Sequence, residues 1–341
     1  MTALDVHIGT VDIHPRRPFA IARGTATAYT SVIVELARDS LNGLGEARPI
    51  PRYHDDHLQV ETRLEAAADR LTSLPVDDGP DAWYPQLLAL FPDSAATRSA
   101  VDMALWDLRG KMRGESVRQL LDAPEISQPS SFTLTLGSEV ELREQLEAAT
   151  GHPILKVKLG GEWDSEALAL LADYSRFIYR FDANEGWDMA RAEALLPLME
   201  ALKVDLIEQP FPAGRFEAVR QLREATSIPL VADEDCQGLG DVIRLAGTYD
   251  GVNIKLVKCG GITVARQMIE RAAEAGLQVM LGCMVESSLG VTAMAQLGGF
   301  ADFLDLDGAA LLADDPFMGM EFGKGSLTLP TGPGLGVKRV G

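Results

Sequence analysis

The sequence predicts an α/β fold in which an α+β unit of roughly one hundred residues precedes a closed parallel β-barrel. From about residue 130, eight short apolar runs alternate with stretches of helical period, as βα units do. Eight consecutive units favour a closed barrel over an open doubly wound sheet. Neither a GxGxxG nor a GxxxxGK[ST] motif occurs in the chain, which weakens the nucleotide-binding alternative.

The first unit begins with predicted strands and ends with predicted helices. DVHIGTVDI and TSVIVELA are apolar and β-branched, and the segment PRRPFAIARGTATAY between them is predicted to be a loop or hairpin. The next segment, NGLGEARPIPRYHDD, is rich in Gly, Pro and charge and is predicted to be a further loop. Two stretches of helical period then follow, namely LQVETRLEAAADRLTSL and AATRSAVDMALWDLRGKMRG.

The barrel is predicted to span residues 116–315. The tail from about residue 316 to 341 is rich in turn residues, and we expect it to return to the first unit and complete the domain of residues 1–115. The eight predicted barrel strands are, in order, SSFTLTLG, PILKVKLG, FIYRFDANE, VDLIEQP, IPLVADED, DGVNIKLVK, LQVMLGCM and ADFLDLDG.

Composition excludes several classes of protein. The 341 residues are 46% hydrophobic, which is ample for a large core, and the formal net charge of -19 argues against nucleic-acid and anionic-membrane partners. No apolar run of about 18 residues predicts a membrane span, and the first residues lack the pattern of a secretory signal. The three cysteines form no CxxC pair, so a cytoplasmic protein is expected. Whether the chain forms a homo-oligomer stays open.

Acidic side chains end three consecutive predicted barrel strands. Asp182, Glu208 and Asp233 each follow an apolar run, and the carboxyl ends of barrel strands face the active site. Taken singly, each acid could be a helix cap or a surface charge. Three in register instead predict a site for a hard divalent cation, and an all-oxygen site of this kind suits Mg²⁺.

Lysines end the second and sixth predicted strands, which face each other in a ring of eight. Lys158 and Lys255 would therefore flank a substrate from opposite sides. Lysine is a general base when burial and neighbouring positive charge lower its pKa, and Lys156, on the same strand face as Lys158, would supply such charge. The alternative is that these lysines only neutralise the acids as ion pairs. No histidine lies at a predicted strand end.

These motifs resemble the enolase superfamily, in its muconate-lactonising-like subgroup, and most closely the dipeptide epimerases. The matching segments are KVKLG, FDANEGW, IEQP, ADED and NIKLVKCGG, while PFAIARG and GEARPIPRY resemble the two capping-domain loops of that group. The resemblance implies a modified (β/α)7β TIM-like barrel with an α+β capping domain. It also implies that Lys158 and Lys255, rather than Lys258, are the two acid/base catalysts, and that Asp182, Glu208 and Asp233 bind Mg²⁺.

The eighth strand carries LDLDG, which resembles the DxD motif by which dipeptide epimerases hold a substrate ammonium group. The alternative for Asp305 and Asp307 is a solvated acidic turn. Arg23 resembles the residue that meets the acidic side chain in Ala-Glu enzymes, and otherwise it is a surface arginine. Thr133, on the strand beside the eighth, is a candidate hydrogen-bond partner of the peptide, and Cys283 is a candidate substrate contact.

The implied activity is a Mg²⁺-dependent 1,1-proton transfer at the α-carbon of the carboxyl-terminal residue of a dipeptide, such as L-Ala-D/L-Glu. The implied isomerase uses Lys156 and the metal to stabilise the enediolate. The nearest alternatives are an N-acylamino acid racemase and an o-succinylbenzoate synthase, which have no ammonium group to bind. More distant alternatives are a cycloisomerase and a barrel without catalytic activity.

Overall fold

The computed structural model describes residues 3–21, 24–135 and 137–340, apart from the side chain of Ile21. It contains the predicted α/β fold: a capping domain with an antiparallel sheet and an eight-stranded parallel barrel sheet. The capping domain is made of β1 (Asp5–Ile13), β2 (Phe19–Ile21), β3 (Gly24–Ala26), β4 (Tyr29–Arg38), β5 (Leu41–Ala47), α1 (His57–Leu71), α2 (Pro80–Leu90) and α3 (Ala95–Arg113).

The barrel strands follow one another around the sheet in chain order. After α4 (Val117–Leu120), they are β6 (Phe132–Leu134), β7 (Ile154–Lys158), β8 (Ile178–Asp182), β9 (Val204–Glu208), β10 (Leu230–Ala232), β11 (Gly251–Ile254), β12 (Gln278–Gly282) and β13 (Phe303–Asp305). A parallel bridge between Ser130 and Leu304 joins the two ends of the sheet. All eight predicted barrel strands are therefore present and in the predicted order.

At least one α-helix follows each of the first seven barrel strands, which is the arrangement of a (β/α)7β barrel. These helices are α5 (Glu139–Ala148), α6 (Asp164–Leu171), α7 (Met189–Glu200), α8 (Phe216–Ala225), α9 (Leu239–Leu245), α10 (Leu256–Cys259), α11 (Ile262–Glu274) and α12 (Ser288–Ala295). Short 3₁₀ helices lie at Pro51–Tyr53, Ala172–Tyr174, Gly298–Phe300 and Gly308–Leu311.

The tail forms four short strands: β14 (Phe317–Met318), β15 (Glu321–Gly323), β16 (Ser326–Thr328) and β17 (Lys338–Arg339). Between β16 and β17 it contacts helix α3, since the Leu335 amide donates a hydrogen bond to Asp107 Oδ1 at 2.7 Å. Arg339 Nη2 also lies 3.3 Å from Glu35 Oε2 on β4. The tail thus touches the capping domain, and the division of the chain near residues 115 and 316 stays a prediction.

Strand β5 differs from the sequence prediction, which assigned this segment to a loop. Its two glycines lie directly under helix α3: a Cβ built on Gly43 would be 2.0 Å from the Ala104 carbonyl oxygen, and one on Gly45 would be 1.9 Å from that of Ala100. Glycine allows the helix backbone to approach the strand, so here it indicates close packing rather than a turn. Glycine composition alone does not distinguish these two cases.

None of the helices in the described parts of the chain has the length and apolar character needed to cross a membrane.

Candidate active site

The carboxyl ends of the barrel strands and the loops of the capping domain enclose a cavity of about 330 Å³. Cavities at this end of a barrel are the usual place for catalysis. The barrel contributes Thr133, Lys156, Lys158, Asp233, Lys255, Cys283, Asp305 and Asp307, and the capping domain contributes Phe19, Tyr29, Arg48, Ile50, Arg52 and Tyr53.

The parallel register aligns the acidic strand ends. Lys158 pairs with Asp182 across β7 and β8, and Asp182 pairs with Glu208 across β8 and β9. Glu208 pairs in turn with Val231, two residues before Asp233. The register therefore aligns Asp182 with Glu208 and places Asp233 two residues beyond them, at the carboxyl end of the next strand.

Lys156 lies at the centre of the acidic cluster. Its Nζ is 3.1 Å from Asp182 Oδ2, 2.6 Å from Glu208 Oε2 and 2.8 Å from Asp305 Oδ2. Burial opposes the charge on Lys156, but attraction by Asp305, Glu208 and Asp182 outweighs it and raises the pKa well above its usual range. Lys156 is therefore a permanent cation that holds the fourth and eighth strands together.

The three candidate metal ligands are buried and crowd one another. Burial, followed by repulsion from Asp182, raises the pKa of Glu208, and Asp233 adds to that repulsion. Within the described ranges, however, no three histidine, cysteine, aspartate or glutamate side chains already form a group able to hold a metal ion. In this structure lysine ammonium groups contact each of the three carboxylates instead. An oxygen-only set of mutually repelling carboxylates fits a small hard cation.

The two candidate bases pair with two of these carboxylates. Lys158 Nζ donates to Asp182 Oδ2 at 2.6 Å, and Lys255 Nζ donates to Asp233 Oδ2 at 2.8 Å. Burial would lower the pKa of Lys255, but attraction by Asp233 and Glu208 outweighs it and raises that pKa. Lys156 lowers the pKa of Lys255 by repulsion, but the two acids outweigh this effect. The strand order places Lys158 and Lys255 four strands apart, on facing sides of the cavity.

Lys258, the other lysine of the NIKLVKCGG segment, is directed away from the space where a substrate would lie. Its Nζ donates to the carbonyl oxygens of Asp233 at 2.7 Å and Asn253 at 3.1 Å, and it also contacts Asp233 Oδ1. Among the described residues that line the cavity, Lys255 is present and Lys258 is not. This geometry supports the choice of Lys255 as the candidate base.

The two acids of the eighth strand lie side by side on the cavity wall. Asp305 accepts hydrogen bonds from Lys156 Nζ at 2.8 Å and from Ser131 Oγ at 2.6 Å. Asp307 Oδ2 accepts a 2.6 Å bond from the Thr133 amide, so Thr133 contacts it through its backbone. Burial, followed by repulsion from Asp305, raises the pKa of Asp307 to about 7. A cation placed beside the pair would relieve this repulsion.

Cys283 forms hydrogen bonds with the backbone of the eighth strand and the residues after it, and its side chain is not a reactive thiolate. Its Sγ lies 3.3 Å from the Asp305 carbonyl oxygen and accepts a 3.3 Å hydrogen bond from the Gly308 amide. Burial raises the pKa of the Cys283 thiol well above its usual range, so the group is neutral. Arg23, the predicted partner of a substrate side chain, lies outside the described residues.

Two family models match most of the chain. The model described as "Mandelate racemase / muconate lactonizing enzyme, N-terminal domain" matches residues 4–122. The model described as "Enolase C-terminal domain-like" matches residues 141–339, more than half of the chain. The chain belongs to this family. The resemblance inferred from the strand-end motifs is confirmed.

Several relatives of the chain are named as epimerases or racemases of amino acid derivatives. An L-Ala-D/L-Glu epimerase from Bacteroides thetaiotaomicron is 32% identical over 333 residues, 95% of this chain and 85% of that protein. An N-acetyl-D-glutamate racemase from a Pseudoalteromonas species is 36% identical over 290 residues, 83% of this chain and 88% of that protein. The solved structure of a dipeptide epimerase from Methylococcus capsulatus, complexed with Mg and the dipeptide L-Arg-D-Lys, matches with a TM-score of 0.92 and 32% identity over 99% of both chains.

Two residues that position the acids at the ends of the barrel strands were not predicted from the sequence. Asn253 Nδ2 donates to Glu208 Oε1 at 2.8 Å, and its spacing of two from Lys255 is the signal that could have identified it. Gln209 Oε1 accepts hydrogen bonds from the amides of Asp233 at 3.0 Å and Asp235 at 3.2 Å. Gln209 therefore fixes the end of the fourth barrel strand to the end of the fifth.

The capping-domain side of the cavity was also not predicted in detail. Tyr29 begins β4, Arg48 follows β5, and Arg52 and Tyr53 belong to the 3₁₀ helix Pro51–Tyr53. Arg52 Nη2 lies 2.5 Å from Glu185 Oε2, so this arginine joins the capping domain to the barrel. These residues are in two segments that the sequence indicates only as a loop or hairpin and a further loop, and their neighbours are distant in the chain.

Proposed function

We propose that the protein is a dipeptide epimerase that inverts the α-carbon of the carboxyl-terminal residue by 1,1-proton transfer. The observation that carries the proposal is the placement of two buried lysines, Lys158 and Lys255, on facing sides of one cavity. A proton removed from one face of an α-carbon and returned to the other requires two groups arranged in this way. The dipeptide epimerases among the relatives add support.

The chain's own residues divide this task. One lysine takes the α-proton and the other delivers a proton to the opposite face, and their roles exchange for the reverse direction. Lys156, a buried cation among the acids, stabilises the negative charge that develops on the substrate carboxylate. Lys156, Lys158 and Lys255 are buried, and burial strengthens their electrostatic interactions.

A divalent cation fits the acids of the third to fifth barrel strands. Asp182, Glu208 and Asp233 would hold Mg²⁺, since they are buried, carry oxygen ligands only and repel one another. When bound, the metal supplies Lewis-acid stabilisation of the substrate carboxylate. The structure of the Methylococcus capsulatus relative is complexed with Mg, which supports the choice of metal.

Asp305 and Asp307 would hold the free amino group of the dipeptide. Their mutual repulsion, with the pKa of Asp307 raised to about 7, makes the pair a receptor for a cation at neutral pH. The Thr133 amide keeps Asp307 in place, and Cys283 packs behind Asp305. An ammonium group between the two acids would place the peptide across the barrel mouth toward the metal side.

An N-acylamino acid racemase is a second candidate, favoured by the 36% identical relative that is an N-acetyl-D-glutamate racemase. Such a substrate has no ammonium group, so the repulsion between Asp305 and Asp307 would remain uncompensated. We therefore place dipeptides first. A substrate pair that differs only in N-acetylation separates the two activities directly.

The test is deuterium incorporation from D₂O into a library of L,L-dipeptides and their N-acetyl forms, detected by mass spectrometry. We expect incorporation into free dipeptides, loss of activity after chelation and recovery with Mg²⁺. Faster exchange of the N-acetylated members would favour the racemase over the epimerase. Full activity of a metal-free preparation would contradict the assignment of Asp182, Glu208 and Asp233 as metal ligands.

A further inference from the structure

One cation in the cavity lacks an acidic partner. Five cationic side chains in the described part of the chain line the cavity, and four of them have a carboxylate oxygen within 2.8 Å. The fifth, Arg48, forms no salt bridge within the described residues. A partly buried guanidinium group without a counter-charge is costly unless a ligand supplies the charge.

Arg48 is nevertheless held firmly. Its Nε donates a 3.1 Å hydrogen bond to the Val285 carbonyl oxygen, and its guanidinium carbon lies 4.3 Å from the centre of the Tyr29 ring. No hydrogen bond to a described residue engages its two terminal nitrogens. Because the group is fixed by one nitrogen and one ring face, the remaining donors are available to a planar anion such as a carboxylate.

The two acids close to Arg48, Glu46 and Glu286, attract its charge, but neither forms a salt bridge with it in the described part of the chain. Glu46 accepts four other hydrogen bonds: from Ser31 Oγ at 2.6 Å, from the Ser287 amide at 3.2 Å and hydroxyl at 2.5 Å, and from the Gly290 amide at 3.0 Å. Burial, followed by repulsion from Glu46, raises the pKa of Glu286 to about 8 despite the nearby Arg48. Glu286 is therefore mainly protonated at pH 7, and the Cys283 thiol is neutral.

We propose that Arg48 binds a side-chain carboxylate of the substrate, so that the preferred dipeptides carry an acidic residue. This inference rests on the proposed function and adds the substrate class. The α-carboxylate is assigned to the metal side of the cavity, on the third to fifth barrel strands, whereas Arg48 contacts Val285 beyond the seventh strand. A second anion on the substrate would therefore be the salt-bridge partner of Arg48.

The position of Arg48 favours the first residue of the dipeptide as the carrier of this carboxylate. Arg48 is bonded to the segment that follows β12, and Cys283 of that segment contacts the Asp305 carbonyl oxygen and the Gly308 amide. The proposed ammonium site at Asp305 and Asp307 is thus adjacent to the segment after β12 that Arg48 contacts. The second residue is the other possible source, and the experiment separates the two.

The experiment compares matched acid and amide dipeptides. L-Glu-L-Ala with L-Gln-L-Ala tests the first residue, and L-Ala-L-Glu with L-Ala-L-Gln tests the second, with kcat/KM measured by deuterium exchange. We expect the parent enzyme to prefer Glu over Gln by roughly tenfold to a hundredfold in one series, since a charged hydrogen bond is lost with the amide. Arg48→Met should abolish that preference while still accepting the Gln dipeptide.

Two further variants separate recognition from a structural effect. Arg52→Met removes a cation of the same loop that already pairs with Glu185, so it should leave the Glu/Gln ratio unchanged whatever it does to both rates. Arg48→Glu should reverse the preference, so that a Lys dipeptide becomes better than its Glu counterpart. A purely structural arginine would give no such reversal. Near-UV circular dichroism checks that each variant is folded.

Calorimetric binding of the same dipeptides provides a readout that does not depend on turnover. If the parent enzyme epimerises neutral dipeptides and the Glu/Gln ratio of kcat/KM and Kd is the same with and without Arg48 in both series, the Arg48 inference is wrong and the proposed function stands. If no dipeptide exchanges deuterium, the proposed function fails. In that case, calorimetry would still support an anion site at Arg48 if Glu dipeptides bind more tightly than Gln dipeptides and the difference disappears in Arg48→Met.

Discussion

The barrel rim, meaning the carboxyl ends of the barrel strands, and the capping-domain loops line the same cavity. They differ in whether their charged side chains form salt bridges. On the rim, Lys156, Lys158 and Lys255 each pair with a carboxylate at 2.6–2.8 Å. On the capping side, Arg52 pairs with a carboxylate, whereas Arg48 forms no salt bridge with any described residue; aromatic residues such as Tyr29 complete the wall. The rim lysines are neutralised by carboxylates of the protein, so they suit a reaction step that is common to many substrates. Arg48 on the capping side suits the selection of one substrate class.

The two regions are also held by different forces. Rim residues are positioned by strand register, because Lys158, Asp182 and Glu208 are direct partners across neighbouring strands. The capping domain is attached through side-chain contacts, for example Glu46 with the Ser287 hydroxyl at 2.5 Å, and Arg48 with the Val285 carbonyl. Changes on the rim should therefore affect the reaction step or the binding of the dipeptide backbone, and changes in the capping domain should affect folding or selectivity.

The largest effect is expected for the two lysines. Lys158→Ala and Lys255→Ala should each lower epimerisation by roughly 10³-fold or more, because inversion needs a base and an acid on opposite faces. Each variant should also block α-proton exchange from one enantiomeric face. The measurement is proton NMR in D₂O on L,L and L,D dipeptides, with the folded variants compared side by side.

Lysines that serve only as counter-ions would behave differently. They would lower exchange of both isomers together, with a parallel loss of stability, because the acids they neutralise would remain buried without a partner. Normal epimerisation in either alanine variant would exclude the two-base mechanism. Equal residual exchange of both isomers in both variants would remove the assignment of faces and leave the acid cluster unaffected.

A change within the capping domain should reduce stability rather than the reaction step. Gly45→Ala would bring a Cβ within 1.9 Å of the Ala100 carbonyl oxygen, which we expect to destabilise the protein by about 3 kcal/mol. Gly9→Ala, in the same sheet, is the matched control because a Cβ there meets no atom within 4 Å. Urea unfolding measures both, and equal stability of the two variants would contradict the close packing of β5 under α3.

Neutralising the eighth strand should act on substrate binding. Asp305→Asn and Asp307→Asn should each raise KM for free dipeptides by roughly thirtyfold, since a charged hydrogen bond to the ammonium group is lost. Steady-state kinetics on free and N-acetylated dipeptides checks this. Equal effects on both substrate forms would assign the two acids a structural role on the rim and favour the N-acylamino acid racemase.

The smallest effect is expected from pH acting through Glu286. Below about pH 8 this carboxyl is protonated and leaves Arg48 free for a substrate anion. Above that pH it is ionised and competes for Arg48, so the preference for Glu over Gln dipeptides should fall several-fold between pH 7 and 9. The ratio of kcat/KM values cancels pH effects that are common to both reactions. The charged groups that face Glu286 are Glu46, Arg48 and Lys255.

Glu286→Gln is the control for this pH dependence. The amide does not ionise, so the preference for the acidic dipeptide should be constant over the same pH range. A preference that falls equally in the parent enzyme and in the Glu286→Gln variant would show that another group titrates. The lysines of the barrel rim would then be the next groups to test.

The sequence allowed more of the rim to be predicted than of the capping side. All eight barrel strands were predicted in order. Every described candidate residue of the barrel either lines the cavity or, like Asp182 and Glu208, contacts Lys156 in its wall. The loop assigned around Gly43 and Gly45 was wrong in part, because glycine marks close packing there. Burial and the positive charge of Lys156 lower the pKa of Lys255, but Asp233 and Glu208 outweigh them and raise that pKa.

The sequence by itself determined which residues stand at the barrel mouth. The apolar runs end at acids and lysines, and a parallel barrel brings the carboxyl ends of all its strands to one edge. The order of residues along the chain is therefore enough to predict which side chains lie there. Only the tertiary structure decided which charges are paired. Arg48 and Val285 are far apart in the chain, as are Glu46 and Ser287, and no local pattern encodes their contact. Pairing depends on distances of a few ångströms, which only the packing of the two domains sets.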